Sequence, residues 1–273
     1  MSWIIFDAVE KIRTFGKRQE LRLAEAIAAN NLVLAKQLLE RGVNPEARVV
    51  GHNLEPLIFL VYQKNWFTLP KGLNCDRPRT LYSITAKEQC LQLLLKHGVN
   101  PNVRDSLGRS VLEIAILWCL PDIVKLLLID GADPDIRDLN GLTLLMKTAI
   151  WGIQDARPMA DKLQIIDYLL DSGAEIDARS PDGKTALMYA VSNSRMSIIE
   201  FLVSSGASLT IADRQGSCAY DLINPNLERQ QQSYLRSILS QPQLNTARYS
   251  TRHFPEGDRQ LALLINHKNH SLT

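Results

Sequence analysis

Apolar positions recur along this chain at helical spacing and stop at regular punctuation. Ile123, Val124, Leu126, Leu127 and Leu128 fall on three- and four-residue steps, the signature of one buried helix face. The run ends in Leu127-Leu128-Ile129-Asp130-Gly131, and the same L-L-x-x-G close appears at Leu38–Gly42, Leu94–Gly98 and Leu169–Gly173. Leu202-Val203-Ser204-Ser205-Gly206 repeats it with Val in second place. A glycine at this place lets the helix end in a left-handed residue that a side chain would resist.

Successive helix-ending glycines lie 56, 33, 42 and 33 residues apart. Four of them are followed ten residues later by a second glycine: Gly108, Gly141, Gly183 and Gly216. Between the two glycines stand a proline or short polar stretch and then turn sequences such as Asp105-Ser106-Leu107-Gly108 and Asp138-Leu139-Asn140-Gly141. A short apolar helix follows, as at Val111, Leu112, Ile114 and Ala115. Each unit therefore reads turn, helix, helix. Neither helix buries its apolar face alone, so a period near 33 predicts stacked repeats.

Two stretches carry a family resemblance. Gly183-Lys184-Thr185-Ala186-Leu187-Met188-Tyr189-Ala190 and Ile123–Asp133 resemble the ankyrin repeat, and the likeness spans roughly residues 18–241. It implies an all-α fold, an ankyrin-repeat solenoid of stacked helix-turn-helix units with short hairpin-like turns. The chain departs from the family pattern in two respects. Glu113, Met146 and Met188 replace the histidine of the T-P-L-H motif, and Val111, Leu144 and Ala186 replace its proline.

Six units are expected, at about 18–50, 51–106, 107–139, 140–181, 182–214 and 215–241. Residues 1–17 read as an N-terminal amphipathic helix, and 242–273 as a polar C-terminal tail. The second and fourth units carry insertions between their two helices, near 65–85 and 153–161. The first and last units read as caps, the last because Arg229-Gln230-Gln231-Gln232-Ser233 gives a polar face opposite Leu235, Ile238 and Leu239.

Composition narrows the function. Charged residues make up 22% and the net charge is +2, which argues against general nucleic-acid binding. No apolar run reaches the length of a membrane span. The first residues lack the basic n-region of a secretory signal. Cys75, Cys90, Cys119 and Cys218 form no C-x-x-C pair, so reduced thiols in a cytoplasmic protein are expected. No phosphate-binding loop, nucleophile elbow or metal-protease motif is present. The expectation is a non-enzyme needing no cofactor and no metal.

Partner contacts in ankyrin repeats come from the turn tips and the groove-facing end of the first helix. Counting from each turn glycine, the resemblance assigns that role to Leu107, Arg109, Leu117, Trp118, Leu139, Leu142, Ile150, Trp151, Lys184 and Asn193. Apolar residues at several of these places suggest an interface patch, with tryptophan as a favoured anchor. The alternative is that the insertions cover Trp118 and Trp151 as core.

A second candidate is a charged edge six residues after the helix-ending glycines: Arg48, Arg104, Arg137 and Arg179. Acids two residues earlier, Glu46, Asp135 and Asp177, are placed to neutralise it. A third is the apolar stripe from Trp3 to Phe15, which either caps the first repeat or lies on an anionic membrane.

The function expected from these features is protein–protein interaction, with the partner held by the tips and concave groove. The alternative is a membrane-peripheral assembly factor or chaperone that shields an apolar segment of a client.

Overall fold

The computed structural model describes residues 19–27, 31–46, 60, 81–105, 107–150 and 158–240. The N-terminal stripe, Arg48, most of the first insertion, Trp151 and the polar tail lie outside the described residues. Contacts divide the chain into two compact units, residues 1–133 and 134–273, where the sequence reading had one continuous domain over 18–241. In a repeat array each element touches only its neighbours, so a repeat joint is where such a division falls.

In the first unit, residues 19–27 are helical. Leu32–Glu40 packs on Leu81–Lys96, which packs on Pro121–Ile129, and Pro121–Ile129 pairs with Val111–Leu117. Leu23, Ile27, Leu91, Leu94, Ile114 and Leu127 are fully buried there. In the second unit, Leu144–Ile150 packs on Met159–Asp171 and on Ala186–Ser192. The latter meets Met196–Ser204 and the 3₁₀ turn Ala219–Leu222, and Arg229–Leu239 closes against both. Like helices therefore stack on like. Among the described residues there is no β-strand, only isolated antiparallel bridges Arg104–Ser110 and Arg137–Thr143.

The helix ends follow the glycines. At Gly131 (φ +90°) the chain turns left-handed, and Ala132 N donates to Leu127 O at 2.9 Å, which satisfies a carbonyl the helix leaves open. The starts are capped by hydroxyls. Ser110 Oγ accepts from Glu113 N at 3.0 Å, and Thr143 and Thr185 Oγ1 accept from Met146 N and Met188 N, each at 3.4 Å. Met146, Met188 and Glu113 are buried, so the side chains in the histidine place pack inside the unit.

The insertions are partly helix. The second helices run nine residues in Leu32–Glu40, Pro121–Ile129 and Met196–Ser204. They run 16 residues in Leu81–Lys96 and 13 in Met159–Asp171. The expected insertion limits of 85 and 161 thus fall inside helices, because each inserted stretch extends the following helix backwards.

First helices of the third and fifth repeats end on a strained residue. Cys119 (φ +50°) and Ser194 (φ +55°) are left-handed without being glycine. Arg195 N donates to Ala190 O at 2.9 Å, so the backbone there follows the same closing pattern as at Gly131. A left-handed L-residue costs on the order of 1–2 kcal/mol, offset in part by the flexibility glycine adds to the unfolded chain. Ser194→Gly is therefore expected to stabilise the protein by about 1 kcal/mol in urea denaturation. A lower midpoint for the glycine variant would contradict this account of the turn.

Candidate functional site

The hairpin-like turns are built on one acid each. In the first unit Asp105 N donates to Arg109 O at 2.8 Å and Gly108 N to Asp105 O at 3.0 Å. Asp105 Oδ1 then accepts from Leu107 N and Arg109 N at 2.9 and 2.8 Å. Arg109 returns Nε and Nη2 to Asp105 Oδ2 at 2.9 and 2.8 Å. With its backbone held this way, the turn presents Leu107 outward, 61% exposed. Leu117 and Trp118 are half-buried at the end of Val111–Leu117, and the Trp118 Nε1 is shielded from solvent.

The first turn of the second unit repeats the design with a different cation. Asp138 Oδ1 accepts from Asn140 N and Leu142 N, both at 2.9 Å. Asp138 Oδ2 takes Lys147 Nζ at 2.6 Å, from inside the apolar helix Leu144–Ile150. Burial alone would raise the Asp138 carboxyl; the Lys147 bond and charge and the two turn amides outweigh it and hold the carboxyl below its ordinary value. Leu139 stands out at 81% exposure, while Leu142 and Ile150 are half-buried.

In the next turn Ser180 replaces the acid, and its Oγ accepts from Lys184 N at 3.1 Å. Lys184 and Asn193 are half-buried, and Asn193 Nδ2 is spent on Tyr189 O at 2.8 Å. Asp213 resumes the pattern, accepting from Gln215 N and Ser217 N.

The arginine edge has structural work. Arg104 Nη1 donates to Gly108 O at 2.7 Å, and Arg137 Nη1 to Gly141 O at 2.8 Å and Arg179 O at 2.9 Å. Arg179 donates Nε to Gly183 O at 3.3 Å and Nη2 to Ala212 O at 2.6 Å. Each guanidinium thus ties down the turn that follows it, though all three side chains remain exposed. Gly183 has to be small here, since a Cβ would come within 3.0 Å of Arg179 Nη2 and Arg214 N.

The carboxylates expected to neutralise these arginines also bond along the array, with Asn102 standing in the place of an acid. Glu46 Oε1 accepts from Asn100 N, Asn102 Oδ1 from Asp133 N, Asp135 from Glu175 N and Asp177 Oδ1 from Ser208 N, at 2.8 to 3.1 Å. Each acceptor lies four residues after a helix-ending glycine, and each amide two residues after the next one. The backbone N–H is a fixed donor, so Glu46, Asn102, Asp135 and Asp177 become staples between repeats. Sequence reasoning missed this ladder, although its constant register was visible.

Among the described residues no three His, Cys, Asp or Glu side chains converge as a metal site, and no helix is long and apolar enough to cross a membrane. Cys90 and Cys119 are buried, and Cys218 is half-buried.

A family model described as Ankyrin repeats (3 copies) matches residues 23–138 and 120–213. None of the curated proteins compared with the chain matches it.

Proposed function

Since the chain belongs to the ankyrin-repeat family, whose members are generally non-enzymatic protein–protein interaction modules, we propose that it binds a protein partner through its turn tips and the groove-facing ends of its first helices. The observation that supports this most is the pair of tip leucines. Leu107 and Leu139 are 61% and 81% exposed on turns whose backbones are fixed by Asp105 and Asp138. An apolar side chain held in water on a rigid tip contributes little to folding and is already ordered for contact, so binding costs less conformational entropy. Arg109, Leu117 and Trp118 flank Leu107 in the first unit. Leu142, Ile150, Lys184 and Asn193 accompany Leu139 in the second, and Trp151 belongs to the same proposed set by register.

Truncating a tip is expected to separate binding from stability. Leu107→Ser and Leu139→Ser should each change folding stability by less than about 0.5 kcal/mol. Each should weaken capture of the partner from a source extract by at least tenfold, on the scale of an interface anchor. A protein recovered with the wild-type chain and retained equally by both variants would remove the tips from the interface.

A further inference from the structure

The turn acids repeat, but their outer oxygens do not have the same partners. Asp105, Asp138 and Asp213 each stand three residues before a turn glycine and each use Oδ1 for two amides of their own turn. In the Asp105 turn, Oδ2 accepts from Arg109, one residue after the glycine. In the Asp138 turn it accepts from Lys147, six residues after the glycine. In the Asp213 turn those two places hold Ser217 and Leu222, and Asp213 Oδ2 is buried with no hydrogen-bond partner.

Asp213 is only 6% exposed. A carboxylate oxygen withdrawn from water without a partner is costly, and both sister turns meet that cost with a cation. The arginine beside this turn is committed elsewhere: Arg179 donates to Ala212 O and Gly183 O. Arg214 is exposed on the tip, with its amide on Asp182 O.

The Asp105 turn also shows that such an oxygen is reachable from solvent. The Arg109 side chain is 30% exposed, yet its guanidinium ends on an Asp105 side chain that is 2% exposed. In the Asp213 turn the same approach is flanked by the short Ser217.

We propose that the Asp213 turn receives a cationic side chain from the partner, the Arg or Lys of a basic peptide segment, which fills in trans the place that Arg109 and Lys147 fill in cis. This rests on the reading that the turns face a protein partner and adds the chemistry of that partner. A guanidinium suits the site best, because it can bond Oδ2 by the same two-nitrogen contact that Arg109 makes.

The test uses the full chain and a fluorescently labelled octa-arginine peptide, followed by anisotropy at low salt. Asp213→Asn keeps an Oδ1 acceptor for both turn amides and removes the charge; it should weaken peptide binding at least tenfold. Ser217→Arg supplies the cation from within the turn. It should weaken the peptide to the same degree and raise the denaturation midpoint. Asp182→Asn, which removes an exposed acid of the preceding turn, should leave the dissociation constant within twofold. Leu139→Ser should also leave it within twofold, so failure of the tip-leucine reading and failure of this one are read separately. Equal binding by the wild type, Asp213→Asn and Asp182→Asn, or no binding by the wild type, would overturn the inference.

Discussion

A chain ending at Arg214 is expected to lose the cooperative unfolding of its second unit and to aggregate on heating. The removed segment contributes the 3₁₀ turn Ala219–Leu222 and the helix Arg229–Leu239, which close on Ala186–Ser192 and Met196–Ser204. Ala219, Leu235 and Leu239 are buried in that closure, while residues 229–231, Ser233, Tyr234 and Ser237 face water. Burying a leucine side chain stabilises by about 1.5–3 kcal/mol. Removing two of them and uncovering the apolar sides of the helices beneath costs about 5 kcal/mol or more, which is comparable with the whole stability of many domains. Tyr234 Oη also donates to Glu200 Oε1 at 2.8 Å across this closure. Calorimetry of the shortened chain decides the point: an unchanged melting transition would show that the last helix is not a cap.

Lys147→Met is expected to cost about 3 kcal/mol at neutral pH. The change is nearly isosteric and keeps an apolar stem in the helix Leu144–Ile150, so the loss is chiefly electrostatic. Lys147 and Asp138 side chains are 10% and 8% exposed, and breaking a buried pair leaves an uncompensated charge. Asp138→Asn should cost less, since its amide oxygen still serves the turn. The double variant should recover much of the loss of Lys147→Met, as the stranded carboxylate is gone. The pH dependence follows from the lowered Asp138 carboxyl. A depressed carboxylate contributes stability that is present above its unfolded value of about 4 and lost as pH falls through its folded value. The gap between wild type and Lys147→Met should therefore close in acid. A gap that stays constant from pH 7 to pH 3 would place the effect in packing instead.

How legible these features were depends on how far along the chain each one reaches. The helix-ending glycines, the turn acids and the cap helix act within about one helical turn, so the local pattern carried them. Asp182 shows the limit of that reading. It is an acid in a repeat turn, but it stands one residue before its glycine rather than three, and the acceptor place belongs to Ser180. The staple ladder was missed despite its constant register, because its donors lie 31 to 54 residues from their acceptors. Lys147 left a better trace, as the one charge within an apolar helix, yet its partner lies nine residues back in a turn. The tip leucines were found by register from the turn glycine, and their exposure accords with that register. Trp118 falls between its two expectations: the side chain is half-buried, with its indole nitrogen covered. The helical part of each insertion left no separate trace, because a helix extended backwards keeps the same period as the helix it extends.

The central claim is that a protein partner meets the turn tips. Site-specific photo-crosslinking tests it most directly, with a benzoylphenylalanine placed in turn at Leu107, Leu139 and, as a control on the outer face of the last helix, Gln231. The account predicts that the tip positions link to a common protein and that Gln231, although exposed, does not. Links from Gln231 with none from Leu107 or Leu139 would contradict it.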